Sequence, residues 1–128
     1  MRNTMLAIVV FIFGVVLVVP SCYYENPPKP LPIDPEEISF NTHILPIFVK
    51  SCALEECHNG TEKPDLRAEN AYHSLQSGGY YNLTYPSQSI LYRAVDYSGG
   101  LGMPPSGQLP PLDRDLILYW IEKGAPND

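Results

Sequence analysis

Seven consecutive residues, Cys52-Ala53-Leu54-Glu55-Glu56-Cys57-His58, bring two thiols and an imidazole onto one short segment. Three chemistries compete for such a set. In an oxidising compartment two cysteines ordinarily close a disulfide. A structural zinc ion wants four ligands, and beside this trio only His43 and His73 remain as candidates, so zinc is poorly served. Covalent attachment of haem needs two thiols on one segment, to bond its two vinyl groups, and an imidazole fixed directly beside one of them to ligate the iron. The usual spacing is C-x-x-C-H. Here four residues separate the cysteines, so the intervening loop must bulge.

Met103 favours the haem chemistry. It is the only methionine outside the N-terminal leader, in Gly99-Gly100-Leu101-Gly102-Met103-Pro104-Pro105. That composition has neither a helical nor a strand period, whereas a core methionine more often lies on a periodic apolar face. A thioether held by two prolines suits presentation to a metal by a rigid loop, and Met/His coordination raises a haem's reduction potential. His58 and Met103 are 45 residues apart, enough chain to wrap both faces of a porphyrin. His43 or His73 in place of Met103 would give a bis-His, low-potential centre; for both, a surface or hydrogen-bonded histidine is the default.

Around these residues the chain divides into three parts, 1–21, 22–38 and 39–128. Arg2 and the uncharged, almost wholly apolar run Met5–Val19 form a secretory leader, too short for a spanning helix of ~20 apolar residues. Ser21 before Cys22 resembles the bacterial lipobox, which makes Cys22 the lipidated first residue of the mature chain; an ordinary signal peptide with a spare thiol is the alternative. Losing Arg2 takes the formal charge from -6 to -7. Residues 22–38 carry Pro27, Pro28, Pro30, Pro32 and Pro35 and read as a stiff, extended tether. The expected location is the bacterial cell envelope, lipid-anchored, with the domain in the periplasm or at the cell surface.

Within 39–128 the elements are short helices. Ile44, Leu45, Ile47 and Phe48 lead into Cys52, with Asn41 as a capping candidate and Pro46 forcing the helix to start near Leu45 or bend there. Helical spacing recurs over 68–75, ended by Ser77-Gly78-Gly79, and over 87–95. Leu112, Leu116, Ile117, Trp120 and Ile121 share one face of a closing helix, opened by Pro110-Pro111 and stopped by Gly124. Trp120 reads as a core aromatic or as a contact to a haem edge or propionate. Tyr80, Tyr81, Tyr85 and Arg93 are further propionate candidates, although packing or solvation is the simpler role for each.

Taken in order, Ile44-Leu45-Pro46-Ile47-Phe48, the Cys52–His58 motif, Pro64-Asp65-Leu66, Met103-Pro104-Pro105 and Trp120-Ile121 with Gly124-Ala125 resemble a small exported monohaem cytochrome c. The kind is that of Bacteroidetes lipoproteins and planctomycete-type modules, and the likeness covers about residues 39 to 126. It implies an all-α, class I cytochrome c-like fold of three to five short helices wrapped around one haem c bound through Cys52 and Cys57. It also implies contact between the N- and C-terminal helices, His58 and Met103 as axial ligands, and a Pro64 carbonyl accepting the Nδ1 proton of His58. A plain turn proline is the alternative at Pro64.

With both axial positions filled, such a chain carries single electrons between redox partner proteins and is not itself an enzyme; weak peroxidase activity would follow only if Met103 dissociated. Two other classes stay open: an exported binding module stapled by a Cys52–Cys57 disulfide, and an electron-transfer module of a larger membrane oxidoreductase. The 14 acidic against 8 basic residues argue against nucleic acid. There is no internal repeat, no nucleotide-binding glycine loop and no credible nucleophile–base pair.

Overall fold

The structure is a computed structural model and describes residues 32–128. The leader, Cys22 and the tether as far as residue 31 lie outside the described residues. Among the described residues every regular element is helical: α1 (Leu45–Ser51), α2 (Ala71–Ser77), α3 (Ile90–Val95) and α4 (Pro111–Glu122). Single turns precede or join them, 3-10 at Pro35–Glu37 and Pro86–Gln88 and π-helical at Phe40–Ile44. No helix among the described residues is long and apolar enough to cross a membrane.

The longest helix among the described residues follows its sequence pattern. Pro111 occupies the first position of α4, where its missing N–H has no intrahelical partner to lose. Leu116, Ile117, Trp120 and Ile121 are buried along one face, and Gly124 leaves the helix at φ +100°, a region favourable to glycine. Leu112, placed on that face by its spacing, is instead 39% exposed. The preceding Leu109 is buried, at 5% exposure.

α1 begins at Leu45, with Pro46 in its first turn. The π-helical turn ahead of it is capped by Ser39, whose hydroxyl accepts the Thr42 N–H at 3.2 Å; Asn41, the expected cap, is exposed. The Ser39 N–H in turn donates to His43 Nδ1 at 3.0 Å. The other leading amides are met from the far end of the chain: Phe40 N–H donates to Asp128 Oδ1 at 2.7 Å and Asn41 N–H to the Asp128 carbonyl at 2.8 Å.

The folded part reaches further back than residue 39. Ile38 is fully buried, and Lys123 Nζ donates to the carbonyls of Glu36 (3.0 Å) and Ile38 (2.6 Å). The prolines of 22–38 alone place that stretch in the tether. The anchoring contact comes from a lysine at the end of α4, which no local pattern shows.

One core joins these parts. Phe40, Phe48, Tyr72, Tyr81 and Trp120 form an aromatic cluster with ring centroids 5.3–6.5 Å apart, mostly tilted or edge-to-face, as ring quadrupoles prefer. α4 packs against the Phe40–Ile44 turn, so the two ends of the domain meet. α2 and α3 start later than their periodicity suggests. Asp65 and Asn70 hold 65–70 as a turn before Ala71, and Ser89, extended at ψ 137°, separates the Pro86–Gln88 turn from Ile90.

Candidate functional site

The helix α1 ends by delivering Cys52. Its N–H and that of Ala53 both donate to the Phe48 carbonyl at 2.8 Å, so the chain leaves the helix directly after the first thiol. The four-residue gap then closes as a turn. Cys57 N–H donates to Leu54 O at 3.0 Å, and His58 N–H to Cys52 O at 3.1 Å. Glu56 takes φ +64° to make this possible, a left-handed conformation that is uncommon outside glycine. The bulge demanded by the spacing is thus a backbone loop tied at its base, with Cys52 and His58 bonded across it.

The imidazole is oriented from below. His58 Nδ1 lies 3.0 Å from the carbonyl of buried Pro64 and 3.4 Å from that of Glu62. Both partners accept, so Nδ1 is the donor, and no hydrogen bond within the protein engages Nε2. Pro64 is held in turn. Leu66 N–H donates to the His58 carbonyl at 2.7 Å, and Asp65 N–H to Ser74 Oγ on α2 at 2.9 Å. The Asp65 carboxylate accepts from Arg67 Nη2 at 2.6 Å and Asn70 Nδ2 at 2.7 Å. These donors, Arg67 foremost, hold the Asp65 carboxyl well below the usual range.

Met103 arrives from the loop between α3 and α4. Its N–H donates to Ala94 O, in the last turn of α3, at 2.9 Å. Its side chain is 42% exposed and lines the same cavity as Cys52, Cys57 and His58. The cavity holds about 620 Å3, is predominantly apolar, and is completed by Leu54, Pro104 and Pro105 with a few polar groups, among them Glu62 and Lys63. Its size lies in the range of cofactor sites, roughly 300–1,000 Å3.

Both thiols are free. Cys52 is buried, and burial, assisted by neighbouring Cys57, pushes its pKa up to about 11. At neutral pH it is a protonated thiol, not a thiolate ligand. Among the described residues no three His, Cys, Asp or Glu side chains form a set that could hold a metal ion. A haem iron asks less of the chain: one imidazole and one thioether, with the porphyrin supplying the remaining donors. The chemistry of the donor set fits a covalently held haem, with two thiols, an imidazole oriented through Nδ1 and a methionine around one apolar cavity.

Four of the six candidate cofactor contacts therefore converge. Pro64 lies behind them, acting through its carbonyl. Trp120 does not reach the cavity: it is fully buried in the aromatic cluster, with Nε1–H donating to Pro126 O at 2.9 Å. Its place on the buried face of α4 agrees with a core aromatic, the first of the two roles its sequence position allows. Neither His43 nor His73 lines the cavity; His43 Nδ1 serves the Ser39 cap and His73 is exposed beside a separate polar pocket. Tyr80, Tyr81, Tyr85 and Arg93 are likewise absent from its walls. Sequence reasoning missed the Asp65–Arg67–Asn70 network. The Asp65-x-Arg67 spacing is the only local sign of it.

No family model, curated protein or solved structure matches the chain.

Proposed function

We propose that the chain is a single-electron carrier of the monohaem cytochrome c kind. One haem would be held through thioether bonds to Cys52 and Cys57, with His58 as proximal and Met103 as distal ligand. The observation that carries this is the convergence of those four side chains on one apolar cavity, with His58 Nδ1 already bonded to Pro64 O at 3.0 Å. When bound, the haem supplies a one-electron couple.

The chain's own residues do the rest. The bonded Nδ1 makes His58 a better donor through Nε2 and fixes its ring. A methionine partner favours the reduced form and raises the potential. Cys52 and Cys57 keep the group from leaving, and the apolar walls limit water around it. His58 and Met103 would both be committed to holding the haem, which would supply one-electron chemistry, so transfer of electrons is favoured over catalysis. Cys22, outside the described residues, would carry the lipid that keeps the carrier at a membrane, where it meets its redox partners.

The test is the intact mass and pyridine haemochrome of protein exported from a host competent in cytochrome maturation. One haem per chain, retained through acid-acetone extraction, is the expected result. A polypeptide of unmodified mass, or one carrying only a Cys52–Cys57 disulfide, would overturn the proposal and favour a binding module.

A further inference from the structure

Met103 stands in the loop richest in left-handed glycines: Gly99, Gly100 and Gly107 all have positive φ. Such a loop gains conformational entropy on opening. Met103 itself is partly exposed. Something must hold it, and one side chain touches the segment on both sides of the methionine. The Tyr97 ring packs against Gly102, where an added Cβ would come within 3.2 Å of ring carbons. The Tyr97 hydroxyl donates to the Pro104 carbonyl. The Met103 N–H is fixed between them on Ala94 O.

Tyr97 is built for this at some cost. It has φ +58°, a left-handed conformation that is strained for a bulky aromatic residue. It follows Asp96, the residue that caps the end of α3, so the turn that leaves the helix also brings the ring over the loop. Tyr97 itself does not line the cavity. Any effect it has on the site passes through the backbone of residues 102–104.

We propose that Tyr97 is a positioning residue: its ring and hydroxyl clamp the Met103 segment and set how readily small external ligands displace the methionine. This rests on the haem reading above. With the clamp closed, Met103 is presented to the cavity with little loss of entropy. With it released, the glycine loop carries the thioether away and the distal position opens.

The test uses the full haem-loaded protein and imidazole as the probe, with binding to the oxidised form followed optically. Tyr97→Phe removes the hydroxyl and keeps the ring. Loss of one hydrogen bond to a neutral carbonyl should tighten imidazole binding roughly three- to tenfold. Tyr97→Ala, which also removes the packing on Gly102, should tighten it further. Met103→Ala sets the upper limit, and adding Tyr97→Phe to it should change nothing more, because the clamp then has no ligand to hold. Tyr85→Phe, a hydroxyl removed from a residue outside the clamp, should match the wild type.

Imidazole affinity in Tyr97→Phe within twofold of wild type would overturn the clamp, even if the melting temperature fell. An equal gain in the Met103→Ala background would overturn it as well. A protein with no covalent haem would sink the parent proposal and the clamp with it. A red protein with unchanged imidazole affinity would sink the clamp alone.

Discussion

His58 Nδ1 and the carbonyl oxygen of Pro64 are 3.0 Å apart, six residues from one another in the chain. The bond decides which nitrogen of the ring faces the cavity, and a carboxylate network one residue further on decides where the carbonyl sits. That network is sensitive to acid. Asp65 is held ionised well below the ordinary carboxyl range, chiefly by Arg67. A group with a depressed folded pKa stabilises the fold above its unfolded pKa of ~3.9, and the benefit fades as pH falls toward the folded value. The melting temperature of Asp65→Asn should therefore lie below wild type at pH 6, with the gap narrowing from about pH 4 downwards. A gap independent of pH would show that the charge of Asp65 is not what matters.

Trp120 separates core from cofactor. Trp120→Ala empties a fully buried site and should cost about 3–5 kcal/mol, measured by urea unfolding. Trp120→Phe should lose stability through the smaller ring and the missing Nε1–H bond to Pro126. Because Trp120 does not line the cavity, the visible spectrum and reduction potential of that variant should match wild type. A shifted potential would restore it as a haem contact.

Cys52 should be a poor nucleophile in the folded protein without haem. With a pKa pushed up to about 11 by burial, its thiolate fraction at pH 8 is roughly a hundredfold below that of an ordinary thiol. In protein made without maturation machinery, iodoacetamide should modify Cys52 at least that much more slowly in buffer than in urea, read by peptide mass mapping. Equal rates in the two conditions would mean that the thiol is not buried.

Glu56 carries the strain of the long loop between the cysteines. At φ +64° glycine is at ease and β-branched residues are not. Glu56→Gly should be neutral or slightly stabilising, whereas Glu56→Val should cost about 1–3 kcal/mol and lower the yield of haem-loaded protein. Thermal melts and absorbance per chain check both.

The sequence and the structure part where contacts are distant in the chain. α4 was legible because its signals are local: a proline pair, a helical apolar face and a stopping glycine. The thiol–imidazole motif and the isolated Met103 were legible by residue type, and so was the need for a bulge. The capping of Phe40 and Asn41 by Asp128 was not, since Phe40 and its partner are 88 positions apart in the chain. For the same reason Ile38 read as tether, although Lys123 fixes it to the end of α4. No local pattern singles out Tyr97, because its contacts with Gly102 and Pro104 depend on a left-handed backbone that tyrosine rarely takes.

The most direct measurement is the optical spectrum of the exported protein in both oxidation states. A covalent haem between His58 and Met103 should give sharp, low-spin α and β bands on reduction. The oxidised form should show a methionine-to-iron charge-transfer band that disappears in Met103→Ala. A colourless protein would contradict the account outright, and a red one whose spectrum ignores the loss of Met103 would contradict its distal ligand.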